Sequence, residues 1–235
     1  MKTVITALLF AAAMTGFSVT ARVRPAPNAP RSRPSPASQV FLTPAEVVSV
    51  ENVSYPPNTT AEGVVVLDVA LTEKGQAAEV GAVRDIPALT SAAATAVQSW
   101  KFKPATQGDT AVPSALTVAF VYRPPVAIWK PPSFSAAVAN PGSSTNAAIP
   151  AGITAITYAD YPSDSTAAGA VILQLSLDST GKITDTKILR GMGALNASAL
   201  AAAKEWKFEP ARFEGDTAKS NVVIAFIFAP PVLNP

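Results

Sequence analysis

Apolar and polar residues alternate over residues 64–71, where Val65, Leu67, Val69 and Leu71 share one face. That period of two is the mark of a half-buried strand. Thr72-Glu73-Lys74-Gly75 follows as a hairpin loop in which Gly75 can take a positive φ, and residues 77–84 read as the returning strand. From Pro87 the period lengthens. Leu89, Ala93, Ala96 and Trp100 fall at i, i+4, i+7 and i+11, one stripe of a helix, with Thr90 as its expected cap. The chain then turns extended through residues 102–104, loops around Gly108-Asp109 and ends in a strand over residues 116–122. Upstream, residues 41–51 read as an introductory helix or strand. Thr43 and Pro44 suit a helix start as cap and first position.

The same pattern returns 106 residues later. Trp100-Lys101-Phe102-Lys103-Pro104 becomes Trp206-Lys207-Phe208-Glu209-Pro210. Tyr55-Pro56, Gly63 and Gly75 become Tyr161-Pro162, Gly169 and Gly181. Val171, Leu173, Leu175 and Leu177 repeat the inner face of the strand, and Leu195, Ala199, Ala202 and Trp206 repeat the helix stripe, with Asn196 as its expected cap. Gly215-Asp216-Thr217 alone sits at an offset of 107, which implies one residue gained and one lost around this loop. The chain is therefore two copies of one unit.

Each unit reads strand, hairpin, strand, helix, strand. The expected fold is α+β: two tandem small modules, each a three-stranded antiparallel sheet packed on one helix (β-β-α-β). One helix covers one face of a sheet. The other face carries Val64, Val66 and Ile172 among Asp68, Gln174 and Ser176, and suits either solvent or the other module. Trp100, Phe102 and Pro104, with Trp206, Phe208 and Pro210, are expected to be structural anchors where the helix ends, not ligand-stacking groups.

The flanking segments differ in composition. Residues 1–21 read as a signal peptide: Lys2, an apolar run over 4–19, and Val19-Thr20-Ala21 with cleavage near Ala21. Residues 22–39 form a Pro-rich linker, 40–124 the first module, 125–150 a second linker with Trp129 as its one aromatic anchor, and 151–231 the second module. The export signal points to a periplasmic or secreted protein. Lys2, Arg22, Arg24, Arg31 and Arg33 lie before the modules, so beyond residue 40 there are 13 basic and 16 acidic residues, a net charge of −3. A slightly acidic folded part does not suit a nucleic-acid partner.

The chain has no cysteine and no histidine. Disulfides, thiolate or imidazole metal sites and His- or Cys-dependent catalysis are all excluded. Asp178 and Asp185 do not form a repeated carboxylate pair, because the first copy has Thr72 and Glu79 there. No motif brings a serine and a lysine together as a nucleophile pair. No catalytic residue, metal site or cofactor is expected, and the protein is not expected to be an enzyme.

The ordered set of Tyr-Pro, Gly, alternating strand, Gly turn, Ala-rich helix, Trp-x-Phe-x-Pro-Ala, Gly loop and a closing strand ending in Phe120-Val121-Tyr122 or Phe226-Ile227-Phe228 resembles the C-terminal domain of the TonB family. These are periplasmic energy transducers. The resemblance implies binding by strand addition, in which the last strand lends a backbone edge to a segment of an outer-membrane receptor in energy-dependent transport. The implied edge residues are Leu116, Val118, Phe120 and Tyr122, and Val222, Ile224, Phe226 and Phe228, whose side chains are expected to face the helix. A full transducer carries an anchoring N-terminal segment with a histidine. This chain has none, and its 18-residue linker reaches only about 55 Å when extended. A protein partner is implied, with force transmission doubtful. The alternative is a structural envelope protein whose module edges pair internally or across a homodimer, with no transport role.

Overall fold

The computed structural model describes residues 42–57, 59–123, 148–162, 165 and 167–229. The expected signal peptide, the first linker and Trp129 lie outside the described residues. The described residues from 42 to 229 form one compact unit.

Among the described residues the structure is α+β, mostly strands with two helices. In the first half, β1 (Leu42–Thr43) and β2 (Glu46–Ser49) precede the long strands β3 (Gly63–Leu71) and β4 (Ala77–Arg84). Helix α1 (Pro87–Ser99) follows, then β5 (Lys101–Lys103), β6 (Ala105–Gln107), β7 (Thr110–Val112) and the long β8 (Ser114–Arg123). The second half repeats this as β9 (Ala148–Ile149), β10 (Gly152–Ala155), β11 (Gly169–Leu177), β12 (Ile183–Arg190), α2 (Leu195–Lys204), β13 (Lys207–Glu209), β14 (Ala211–Phe213), β15 (Asp216–Ala218) and β16 (Ser220–Phe228). Residues 41–51 therefore hold strands, not the helix that Thr43 and Pro44 would have started.

The two sheets expected of separate modules are one sheet. Six strands run in the order β12-β11-β16-β8-β3-β4. Every neighbouring pair is antiparallel except the central one, β16 with β8, which is parallel. Four small sheets surround it: β1-β6-β7, β2-β5 and their repeats β9-β14-β15 and β10-β13.

Alternation along the strands sorts the core into two layers. One contains Val65, Leu67, Val69 and Leu71 of β3 and Leu116, Val118, Phe120 and Tyr122 of β8, under Leu89, Ala93 and Val97 of α1. The other contains Val171, Leu173, Leu175 and Leu177 of β11 and the even residues of β16, under Leu195, Ala199 and Ala202 of α2. The first layer also takes in Ile172, Val223 and Ala225 from the second half, and the second takes in Val64, Val66 and Ala119 from the first. The helices therefore cover opposite faces of the sheet. Val97, not Ala96, is the buried point of the first helix stripe.

The half-apolar faces that no helix covers are closed by the partner half. Ala45 and Val47, from the segment of β1 and β2, pack in the layer with Ile172 and Val223. Ala151 and Ile153, from the segment of β9 and β10, pack in the layer with Val64 and Val66. Burying both faces explains the near-continuous apolar runs of β3, β8, β11 and β16, as in a two-sided sheet.

Local chemistry repeats in each half. Gly75 has φ +72° and Gly181 φ +83°, and a Cβ there would lie 2.3 Å from the carbonyl oxygen of Phe102 or 2.6 Å from that of Phe208. The hairpin tip therefore sits on the Trp-x-Phe-x-Pro strand, a position only glycine fits. Thr90 and Asn196 are not the caps. Each lies inside its helix and reaches back four residues: Thr90 Oγ1 accepts from the Ile86 N–H at 2.9 Å, and Asn196 Oδ1 accepts from that of Met192 at 2.6 Å. Ile86 and Ala194 occupy the cap positions without a side-chain bond.

The loop offset of 107 does not survive. Gln107 pairs with Thr110 and Phe213 with Asp216, so both turns have two residues and the offset stays 106. Gly108 (φ +60°) opens the first turn, whereas Glu214 (φ +52°) and Gly215 (φ +92°) both take positive φ in the second. These are the φ patterns of type II′ and type I′ hairpins, which place glycine first and second respectively. The glycine moved within the turn; the chain did not change length.

Candidate functional site: the joint between the two halves

The resemblance put the working surface on the last strand of each module. Those strands are the two in the middle of the sheet. β8 is flanked by β3 and β16, and β16 by β11 and β8. Seven residue pairs join them, from Thr117 opposite Val222 to Arg123 opposite Phe228. Neither strand has a free backbone edge over that length, which corrects the expectation of an open edge at residues 116–122 and 222–228. The side chains of Leu116, Val118, Phe120, Tyr122, Val222, Ile224, Phe226 and Phe228 are all buried.

Among the described residues the outer strands β4 and β12 pair on one side only. Each carries two register shifts, opposite Val66/Leu67 and Ala70/Leu71 in the first half and Ile172/Leu173 and Ser176/Leu177 in the second. Bulges at identical places twist an edge away from further pairing, and charged residues there, Glu79 and Arg84 or Asp185, Lys187 and Arg190, act in the same direction.

Trp100, Phe102, Trp206 and Phe208 are buried, with Pro104 and Pro210 partly so. Trp100 lies 5.9 Å from Phe120 and Trp206 lies 6.1 Å from Phe226, ring centre to ring centre. The two copies differ at the indole. Trp206 Nε1 donates to the carbonyl of Thr157 at 2.9 Å, while Trp100 Nε1 is buried without a partner among the described residues. The tyrosine of each Tyr-Pro packs on the end of its central strand, Tyr55 on Tyr122 and Tyr161 on Phe228. Their hydroxyls donate to the carbonyls of Ala61 and Ala167.

The register at the joint is not the register of the repeat. Throughout the rest of the fold equivalent residues are 106 apart, but across the joint opposed residues are 105 apart. The pleat requires this. Neighbouring residues at one height on adjacent strands point to the same face of a sheet. Two copies related by a twofold axis along the strands would put equivalent residues side by side yet pointing to opposite faces. The pair must slip by one residue, roughly 3.3 Å.

The slip decides where the polar contacts fall. Each introductory segment is held by the partner half, but by non-equivalent residues. Asn221 Nδ2 donates to the carbonyl of Ala45 at 2.8 Å, and its Oδ1 accepts from Ser176 Oγ at 2.9 Å. On the opposite face, Thr117 Oγ1 donates to the carbonyl of Ala151 at 2.7 Å. Ala45 and Ala151 are equivalent, but the equivalent of Asn221 is Ala115 and that of Thr117 is Val223. A one-residue slip, counted once in each direction, gives this two-residue difference. The Val47 N–H adds a bond to Gln174 Oε1 at 3.0 Å, and Lys187 pairs with Glu46 at 2.7 Å. Arg123 Nη1 donates to the carbonyl of Ala159 at 2.5 Å.

Two carboxylates have shifted acidities of opposite sign. Burial raises Asp68 from 3.8 to about 6 against a weak lowering by Thr117. Hydrogen bonds from the side chain and backbone of Thr180 and the N–H of Lys182 lower Asp178, which locks the second hairpin turn. Thr72 does this in the first half, accepting from the N–H of Lys74 and Gln76. Asp185 lies on β12 opposite Ser176, away from that turn. A cavity of about 30 Å³ at the start of β8 and β16 is lined by Leu42, Ala148, Arg212 and the buried, unpartnered hydroxyls of Ser114 and Ser220. It is too small for an organic ligand. Among the described residues no group of three or more acidic side chains could hold a metal.

A family model for the C-terminal domain of the Gram-negative bacterial TonB protein matches residues 52–124 and again residues 156–230. The chain belongs to the TonB C-terminal family. It does so twice over, and the two matches bracket the two halves of the six-stranded sheet. The TonB C-terminal domain is a non-enzymatic, protein-interaction domain of transport in the Gram-negative envelope. No curated protein and no solved structure matches the chain. Within this TonB-type pair, the edge residues implied by the resemblance lie on the two strands of the joint. Sequence reasoning placed Asp68 and Gln174 on the face left to solvent or the other module, but missed Thr117 and Asn221 and the grouping of all four. Their one visible signal was that they are polar in otherwise apolar strands.

Proposed function

We propose that this protein is an exported envelope scaffold in which two TonB-type modules complete each other, acting as a closed protein-interaction unit and not as the strand-accepting end of an energy transducer. The observation that carries this reading is the parallel pairing of β8 with β16, which occupies the edges that strand addition would use. The signal-like residues 1–21 support export, and with it a location in the periplasm or outside the cell. The absence of histidine and cysteine from the chain excludes imidazole- and thiol-dependent catalysis, which favours protein contact as its chemistry.

Amide hydrogen exchange tests the closed form. In the free protein, amides of β8 and β16 are expected to exchange as slowly as those of β3 and β11. Fast exchange at alternate residues of β8 and β16 would mean open edges and would sink the proposal.

A second reading is favoured by the one-sided pairing of β4 and β12. Between their bulges each leaves a regular window, residues 79–82 and 185–188, that a receptor segment could join as a seventh strand. Titration with outer-membrane receptor peptides separates the readings. Shifts confined to residues 79–82 or 185–188 favour outer-edge addition. Shifts across 116–122 or 222–228 favour an opened joint, and no shifts favour the closed scaffold.

A further inference from the structure

Two clasps hold the halves together, one on each face of the sheet, and they differ in chemistry. Facing Ala45 and Val47, the clasp is made of the neutral amides Asn221 and Gln174. Facing Ala151, it is made of Thr117 with Asp68 beside it, the residue equivalent to Gln174. Asp68 is only 8% exposed and Thr117 2%.

Proton counting separates them. The Thr117 hydroxyl has one hydrogen. Its oxygen lies 2.7 Å from the Ala151 carbonyl oxygen, which can only accept, and 3.4 Å from Asp68 Oδ1. With the hydrogen spent on Ala151, Thr117 offers Asp68 only a lone pair. A protonated Asp68 can donate into that lone pair, giving a chain from Asp68 through Thr117 to Ala151. An ionised Asp68 cannot. It either takes the Thr117 hydrogen, leaving the Ala151 carbonyl unpaired, or stays buried without a donor. Both cost free energy.

The surroundings offer no relief. On β4 the residue opposite Asp68 is Gly81, with Glu79 opposite Ala70 and Arg84 opposite Val66. On β8 the flanking residues of the same face are Ala115 and Ala119. The segment holding β9 and β10 has no titratable residue; beyond it lies the half-buried Tyr158, and β13 behind it carries Lys207 and Glu209, both exposed. None of these bonds to Asp68 among the described residues.

We propose that Asp68, Thr117 and the Ala151 carbonyl form a protonation-gated clasp, closed when Asp68 is neutral and released when it ionises, while the Asn221–Gln174 clasp on the other face stays shut at every pH. Burial, which raises the pKa of Asp68 to about 6, puts the change within reach of mildly acidic to neutral conditions. Acidification therefore fastens the introductory segment of the second half onto the first.

Carbon-13 NMR on the full chain between pH 4.5 and 8 tests this. The carboxyl of Asp68 and the carbonyl of Ala151 are expected to titrate together with one midpoint near 6, while the carbonyl of Ala45 does not move. Asp68→Asn, the amide that Gln174 already mimics, is expected to fold and to abolish the Ala151 transition. Thr117→Val is expected to abolish it while leaving Asp68 titrating. An Ala151 carbonyl that stays constant while Asp68 titrates, or a transition that persists in Asp68→Asn, would overturn the proposal.

Discussion

The two halves of this protein carry the same elements at a constant spacing of 106 residues, yet they are not equivalent in the folded chain. The first is held by its partner through Asn221 and Gln174, the second through Thr117 with Asp68. The difference begins in the joint. Two copies of one strand cannot pair in parallel about a twofold axis without breaking the pleat, so one half slides past the other by a residue. After that slide, identical residues face different neighbours. Polar side chains that would look like scattered substitutions are the ones the slide brings under a backbone carbonyl.

If the halves are one cooperative body, damage to either side of the joint has the same consequence. Phe120→Ala and Phe226→Ala, both in fully buried positions, are each expected to cost about 3–5 kcal/mol and to lower a single urea transition. Two separable transitions, one per variant, would break the comparison, because the halves would then fold independently.

The next largest effect is electrostatic. Asp68 holds its proton up to about pH 6 in the folded protein, against an ordinary value of 3.8. Between those values the folded state binds more protons than the unfolded one, so stability falls as pH rises from 3.8 to 6 and is level above. Relative to Asp68→Asn, wild-type protein is expected to lose about 3 kcal/mol at most over that window, measured by denaturation at a series of pH values. Asp178 contributes with the opposite sign. Its lowered value means stability that is present above about pH 4 and fades as pH falls, a change Asp68→Asn leaves untouched.

Smaller effects sharpen the slide itself. Asn221→Ala is expected to cost about 1–2 kcal/mol by leaving the Ala45 carbonyl unpaired. Adding Val223→Thr, which restores the residue equivalent to Thr117, is expected not to recover it, because the slip places position 223 away from that carbonyl. Recovery in thermal denaturation would mean that the halves can re-register. Smallest of all, Glu214→Gly removes a non-glycine residue from φ +52° and is expected to stabilise by about 0.5–1 kcal/mol, with no counterpart in the first half, where Gly108 already stands.

Much of this was legible before any coordinates. The strands β3 and β4, their hairpin and the helix α1 each announce themselves by period, because a local pattern of burial needs only one neighbour to satisfy it. Thr90 and Asn196 were legible as helix-start residues but lie four and two positions past the actual caps, Ile86 and Ala194, since a hydroxyl or amide can bond back to the entering N–H from inside the first turn as well as from ahead of it. The turn at Gly108 misled more deeply. A glycine shifted by one residue looks like an insertion, whereas two hairpin types of equal length ask for glycine at different positions. The last strands misled most. Eight alternating apolar residues on β8 and β16 give the face that meets the helix, but say nothing about what lies along the backbone edge.

By itself, then, the sequence determined a duplicated α+β unit of the TonB C-terminal family, its helix-facing residues and its lack of thiol and imidazole chemistry. These follow from period, repeat and composition, which are properties of the chain read locally. Only the tertiary structure decided that the two central strands bind each other, that the helices take opposite faces, and that the copies meet one residue out of register. Backbone groups pair without regard to side-chain identity, so no residue type marks an edge as open or filled. The pleat then leaves two identical strands side by side no symmetrical way to meet.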